Sequence, residues 1–394
     1  MTSVAVELEN RPGGVPEGTA AADLLASDLA SLRDLVGRAT SGDVERVLRT
    51  GASRRRRTLA DFAVLLSAPA AERLEDMARA ARATTVRRFG RTVRLFAPLY
   101  LSNECVSTCT YCGFSAGNQI ARRTLSPEEV VVEARALRDR GFRHVLLVSG
   151  EHARIVSKDY LVECVRLLAS SAEIPSVSVE VQVWDGETYR RLVDAGCEGL
   201  VVYQETYDRD TYEAVHLKGK KRNYDWRLAA LDRGAAAGMR RLGLGALLGL
   251  HSDWRLEGLA VAAHARALMR RWWRCEVSAS LPRLRPAAGG FSPAAPVGDR
   301  ELVQLLCALR VFLPDLGLSL STREVPELRD ALLRLGVTQM SAGSHTEPGG
   351  YAETSEAEPQ FEVSDTRSPS EVAATVKAAG YDPVWIDTIG ARRL

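Results

Sequence analysis

Between Ala97 and Cys112 the sequence reads "APLYLSNECVSTCTYC", and three of the chain's seven cysteines, Cys105, Cys109 and Cys112, stand within this one stretch. Thiolates in a C-x3-C-x2-C arrangement can each take one corner of a [4Fe–4S] cube, for which a full set of protein ligands would be four. One iron is then open to an outside ligand. S-adenosylmethionine (SAM) can chelate such an iron through its amino and carboxylate groups. An electron from the cluster can then break the C5′–S bond and give a 5′-deoxyadenosyl radical, chemistry that the protein only positions and shields. Structural zinc, the competing reading, expects a fourth Cys or His at ligand spacing. The nearest histidines, His144 and His152, offer no such pair.

Further candidates follow along the chain. In "SGEHARI", Gly150 lets a backbone approach a ligand closely and Glu151 can accept hydrogen bonds from an ammonium group, so both are candidates for holding SAM. Glu180, in "VEVQ", is a candidate for the ribose hydroxyls or a structural polar group of the interior. Arg283 and Arg285 in "PRLRP" and Arg323 in "STRE" carry guanidinium groups that are costly to bury without an anion and that fit a carboxylate bidentately. Internal salt bridges to Glu180 or Glu205 are the alternative. Ser341, in "SAGSHTEPGGY", could hold a polar substrate end. Together these residues suit an amino acid held by its carboxylate and amino group. "HLKGKK" (His216 to Lys221) lacks the glycine loop of a nucleotide site and reads as a solvated basic loop. "GLGALLGL" (Gly243 to Leu250) reads as a strand open to close approach of a ligand.

The elements that must position these residues are legible as texture. Eight short runs rich in β-branched and aliphatic residues cover 93–100, 144–150, 176–182, 199–205, 241–249, 275–286, 318–324 and 337–343. Helical patterns separate them, as in "SPEEVVVEARALRDRG" after a Ser126 cap. Strands this apolar suit a parallel sheet covered on both faces. Eight β–α alternations predict an α/β fold, a TIM-type (β/α)8 barrel, with a partial six-stranded barrel as the rival. In such a barrel the working residues sit at the C-terminal strand ends, and the cysteine loop follows directly on Tyr100, which ends the first run. Residues 1–20 read as a flexible tail, 21–91 as a helical N-terminal extension, 92–350 as the barrel and 351–394 as a C-terminal cap with a helix starting near Ser368–Pro369.

Composition narrows the class further. The 394 residues carry a net charge of +2, which makes no electrostatic case for nucleic acid or a membrane surface. The basic run "SRRRRTL" (Ser53 to Leu59) is local and reads as a solvated helix start or loop. No run approaches the roughly 18–20 apolar residues of a membrane span, and the N-terminus lacks a secretory pattern. Cys164, Cys197, Cys275 and Cys307 are scattered through apolar stretches and read as buried, reduced core thiols, which predicts a cytoplasmic protein.

"LYLSNECVSTCTYCGFS", "LLVSGEH", "VVYQETYDRDTYE", "HLKGKK", "PRLRP", "LSLSTRE" and "SAGSHTEPGGY" together resemble the radical SAM tyrosine lyases of thiamine-thiazole biosynthesis, the 2-iminoacetate synthases. The likeness runs from about Arg91 to about Asp387. It implies a full barrel, SAM on the cluster, and hydrogen abstraction from the amino group of L-tyrosine. Cα–Cβ cleavage then gives 2-iminoacetate and p-cresol. It also implies thiazole synthase as a protein partner, a reductant such as flavodoxin or ferredoxin, and substrate contacts from Tyr100, Arg323 and Ser341. The related maturase of the [FeFe]-hydrogenase cluster carries a second cluster on a C-terminal cysteine motif, whereas here no cysteine follows Cys307. A lyase acting on tryptophan or another aromatic amino acid, and a non-catalytic iron–sulfur protein, are the alternatives.

Overall fold

A computed structural model describes residues 14–49 and 57–385. Most of the expected tail, and Ser53 to Arg56 of the basic run, lie outside the described residues. The run ends in a helix start, since Thr58 caps the helix Leu59–Leu65 in a reciprocal capping box with Asp61.

The chain opens on helices α1 (Ala20–Leu25), α2 (Leu29–Arg38), α3 (Ser41–Arg49), α4 (Leu59–Leu65), α5 (Ala68–Glu72) and α6 (Leu74–Phe89). Strand and helix then alternate: β1 (Thr92–Ser102), α7 (Pro127–Asp139), β2 (His144–Ser149), α8 (Lys158–Ser170), β3 (Ser176–Glu180), α9 (Gly186–Ala195) and β4 (Cys197–Glu205). After β4 come α10 (Arg209–Val215), α11 (Tyr224–Leu228), α12 (Ala230–Ala237), β5 (Arg241–Ala246), α13 (Trp254–Arg271), β6 (Glu276–Ser280) and α14 (Asp299–Phe312). The run closes with β7 (Gly317–Leu320), α15 (Pro326–Leu332), β8 (Gln339–Ser341), α16 (Pro369–Ala378) and β9 (Asp382–Val384).

All neighbouring strands are parallel, and β1 pairs with both β2 (Ala97↔Val145) and β8 (Arg94↔Gln339), which closes the eight-stranded barrel. Closure removes the sheet edges, and the near-continuous burial of β2, β3 and β5 is what a barrel sheathed in helices requires. A ninth strand escaped the sequence reading: β9 joins the start of β1 at Thr92↔Asp382. It is too short for its alternation to register.

Local signals set the helix boundaries. Ser126 and Ser368 form capping boxes with Glu129 and Glu371 at the starts of α7 and α16, each a contribution of about 1 kcal/mol. The first helix is held from a distance. The buried Asp232 carboxylate accepts from Ala20 N at 2.9 Å, Ala21 N at 3.2 Å and Trp272 Nε1 at 2.7 Å. Cys164, Cys197 and Cys307 are buried as expected, while Cys275, at the end of a helix–strand turn, is only half-buried. Among the described residues no helix is long and apolar enough to cross a membrane.

Candidate active site at the barrel mouth

The cysteine loop leaves β1 and turns back over the end of β2. Gly150 is required there for packing. A Cβ on it would stand 2.3 Å from the Glu104 carbonyl oxygen and 3.2 Å from Cys105 Cβ, so the first turn of the loop sits directly on this glycine. The neighbouring Glu151 carboxylate is engaged on both oxygens, by Ser107 Oγ at 3.1 Å and Arg227 Nη1 at 3.2 Å.

The middle of the "HLKGKK" segment, Leu217 to Lys220, is exposed as its charge suggested, but its two ends are drawn inward. Cys109 and His216 form an antiparallel bridge, Thr108 N donates to Lys218 O and Thr110 N to Val215 O. Gly219, at φ +94°, packs its backbone onto Ser107. Tyr111 donates its hydroxyl proton to His216 Nε2 at 2.8 Å while His216 Nδ1 donates to the Tyr212 carbonyl at 2.8 Å. A carbonyl can only accept, so the ring is the Nδ1–H tautomer. Burial holds the ring neutral by lowering its pKa to about 3. Lys221 is likewise buried and donates to Glu205 Oε1 at 2.6 Å. Basic residues in a short run look solvated in sequence. Only the fold shows that one of them, Lys221, reaches an interior carboxylate.

All three thiols lie in apolar surroundings. Cys109 and Cys112 pack with Tyr111, Leu247 and Leu250, and Cys105 and Cys112 with Tyr100, Phe114 and Leu146. Burial raises the pKa of each thiol, and the Lys221 charge opposes that shift at Cys109 and Cys112. Such thiols give up their protons to a soft metal rather than to water. A cube offers each thiolate a separate iron, so a soft, dry, three-thiol loop fits the cluster.

Beside the loop, a cavity of about 120 Å³ opens along the barrel axis. Tyr100, Glu180, Arg323 and Ser341 all line it, together with Cys112, Glu205 and Lys221. Arg323 is half-buried and stacks on Phe361, its guanidinium carbon 3.3 Å from the ring centroid. Among the described residues no carboxylate lies within ion-pair distance of it, so the expected alternative of a bridge to Glu180 or Glu205 is not formed. Burial lowers its pKa. Arg283 and Arg285 do form internal bridges, but to Glu324. Ser341 Oγ accepts from Thr322 N at 3.2 Å, which leaves its proton for the cavity. The Glu180 carboxyl has its pKa raised to about 8 by burial and then by Glu205. Glycines of the "GLGALLGL" strand admit the protein's own side chain: a Cβ on Gly245 would stand 2.4 Å from the Tyr203 ring.

The segment after Ser355 straps the mouth. Gly113 N donates to Gln360 O, Glu362 N to Pro286 O and Ser364 N to Thr322 O. Asp365 is anchored by a fully buried ion pair to Arg329. This strap delivers Gln360 and Phe361 to the cavity, a placement that no local pattern in the sequence shows.

The family model described as the Radical SAM superfamily matches residues 99–260. The one described as the Biotin and Thiamin Synthesis associated domain matches residues 280–382. The chain is 43% identical over 360 residues to the 2-iminoacetate synthase of Escherichia coli K12, covering 91% of this chain and 94% of that protein. To the 2-iminoacetate synthase of Salmonella typhimurium LT2 it is 43% identical over 348 residues, 88% of this chain and 91% of the other. Among solved structures it is similar to HydG, a maturase of the [FeFe]-hydrogenase. The TM-score is 0.87 at 34% identity, over 94% of this chain and 82% of that one.

Proposed function

The chain belongs to the 2-iminoacetate synthases of the radical SAM family, and from that premise we propose that it cleaves the Cα–Cβ bond of L-tyrosine. One tyrosine, one SAM, two electrons and one proton give 2-iminoacetate, p-cresol, 5′-deoxyadenosine and methionine. The family works with a [4Fe–4S] cluster and SAM, which when bound supply a carbon-centred radical able to take a hydrogen atom.

The chain's own residues hold and shield the reactants. Cys105, Cys109 and Cys112 hold three corners of the cluster. Gly150 and Glu151 serve the cofactor by bracing the loop, and Glu180 faces the ribose side. Arg323 takes the tyrosine carboxylate, while Tyr100 and Ser341 hold its amino and carboxylate ends. The observation that carries this reading is Arg323: a cavity guanidinium stacked on Phe361, with no carboxylate of the described residues within ion-pair distance of it. An amino-acid carboxylate satisfies it.

The electrons come from a protein donor such as flavodoxin or ferredoxin, in a cytoplasm that keeps thiols reduced. The imine product hydrolyses in water, and thiazole synthase is the proposed acceptor. The 43% identity to the 2-iminoacetate synthases supports that placement. The test is anaerobic reconstitution with SAM and a reductant, supplied with tyrosine or tryptophan. p-Cresol with equimolar 5′-deoxyadenosine from tyrosine is the expected result. An indole product, or no SAM cleavage with either amino acid, overturns the proposal.

A further inference from the structure

We propose that Gln360 is a positioning residue that ties the Tyr100 hydroxyl to the Cys112 sulfur and raises the reduction potential of the cluster. This rests on the reading of Cys112 as an iron ligand.

The geometry is a short chain of groups. Tyr100 donates its hydroxyl proton to Gln360 Oε1 at 2.8 Å, and Gln360 Nε2 lies 3.8 Å from Cys112 Sγ. Chemistry sets the direction of that amide. An iron-bound thiolate has no proton and only accepts, so the NH₂ end must face sulfur. The carbonyl end then faces Tyr100, whose single proton is committed to it. Tyr100 keeps only lone pairs for the cavity, which suits an amino N–H of the bound substrate.

Structure alone does not call for this side chain. The backbone of Gln360 is already fixed, accepting from Gly113 N at 3.2 Å and donating to Thr346 O at 2.9 Å. A Cβ on Gly113 would stand 2.5 Å from the Gln360 carbonyl oxygen, so the strap and the cysteine loop are in contact through main chain. The amide adds a donor aimed at a ligand sulfur. Donors to cluster sulfur stabilise the reduced, more negative state and raise its potential.

The experiment is a redox titration of the reconstituted full chain, read by EPR without SAM or tyrosine, for wild type, Gln360→Glu and Gln360→Leu. Gln360→Glu keeps the size and the Tyr100 contact but replaces the donor with a carboxylate oxygen. Its expected effect is at least a tenfold drop in the reduction equilibrium constant, about 59 mV for one electron. Gln360→Leu, uncharged, shifts the same way by less, and decides the matter if the Glu variant does not load iron. Reduction equilibrium constants within twofold of wild type, a shift under about 18 mV, in fully iron-loaded variants overturn the proposal. Because tyrosine is absent from this measurement, failure to form p-cresol would count against the tyrosine reading and not against this one.

Discussion

Lys221 Nζ donates to Glu205 Oε1 at 2.6 Å, with both side chains largely buried and the Glu205 backbone in the left-handed region at φ 72°. A non-glycine residue is held there only when its surroundings over-determine it. Arg227 adds a second cation 3.7 Å from the same carboxylate oxygen and continues to Glu151. Burial is the largest single influence on each group, lowering the Lys221 pKa and raising that of Glu205, but the neighbouring opposite charges together outweigh it. Glu205 with Glu151 does so at Lys221, and Lys221 with Arg227 at Glu205, so the pair stays charged.

Breaking this pair from one side is therefore costly. Lys221→Met is expected to destabilise the fold by about 3 kcal/mol, read from chemical denaturation. Adding Glu205→Gln should recover at least half of that loss. Additive losses in the double variant would show that the two residues do not act as a pair.

Arg323→Ala should weaken tyrosine binding by about 2–5 kcal/mol, the range for removing one partner of a buried charge pair. The visible spectrum of the cluster should stay intact. Calorimetry on the reconstituted protein measures this, and unchanged tyrosine affinity would remove the role assigned to Arg323.

Cys109→Ala should abolish the visible absorption of the reconstituted cluster while the far-UV spectrum of the barrel is retained. Full iron loading in this variant would refute the three-thiol assignment.

For Gly150→Ala we expect a displaced cysteine loop, since the added carbon meets the Glu104 carbonyl oxygen at 2.3 Å. A cost of about 1–3 kcal/mol follows from overpacking, together with reduced iron incorporation. Wild-type loading would mean that the loop moves aside freely.

Acid should destabilise the protein in part through His264. It sits on α13, bonded through Nδ1 to the Tyr207 hydroxyl at 3.0 Å, and burial lowers its pKa to about 3. The unfolded chain binds a proton near pH 6.5 where the folded chain does not. Stability is then complete above pH 6.5 and is lost as pH falls towards 3, by up to about 1.4 kcal/mol per unit. Urea unfolding at pH 7.5 and 5 should show a smaller difference for His264→Leu than for wild type; an identical pH dependence would reject this assignment.

The barrel was readable because its signals are local. Eight apolar runs alternate with capped helices, and "SPEEVVVEARALRDRG" forms a helix behind Ser126 as its capping box requires. The cysteine spacing was equally plain, since metal chemistry prints itself in contiguous residues. The path of the strap was not readable, nor was the inward turn of His216 and Lys221 at the ends of "HLKGKK". Gln360 reaches Tyr100 across 260 positions and Arg227 reaches Glu151 across 76. No periodicity encodes such meetings.

By itself, then, the order of residues determined the closed α/β barrel, and it singled out the three-thiol loop and Arg323 as candidates on its rim. Tertiary structure alone decided which charges are paired. It gave Glu324 to Arg283 and Arg285, left Arg323 stacked on Phe361, and drew Lys221 inward to Glu205. The physical reason is that the cost of burying a charge depends on what stands beside it in space. For side chains gathered from separate strands, that neighbour is settled only when the barrel closes.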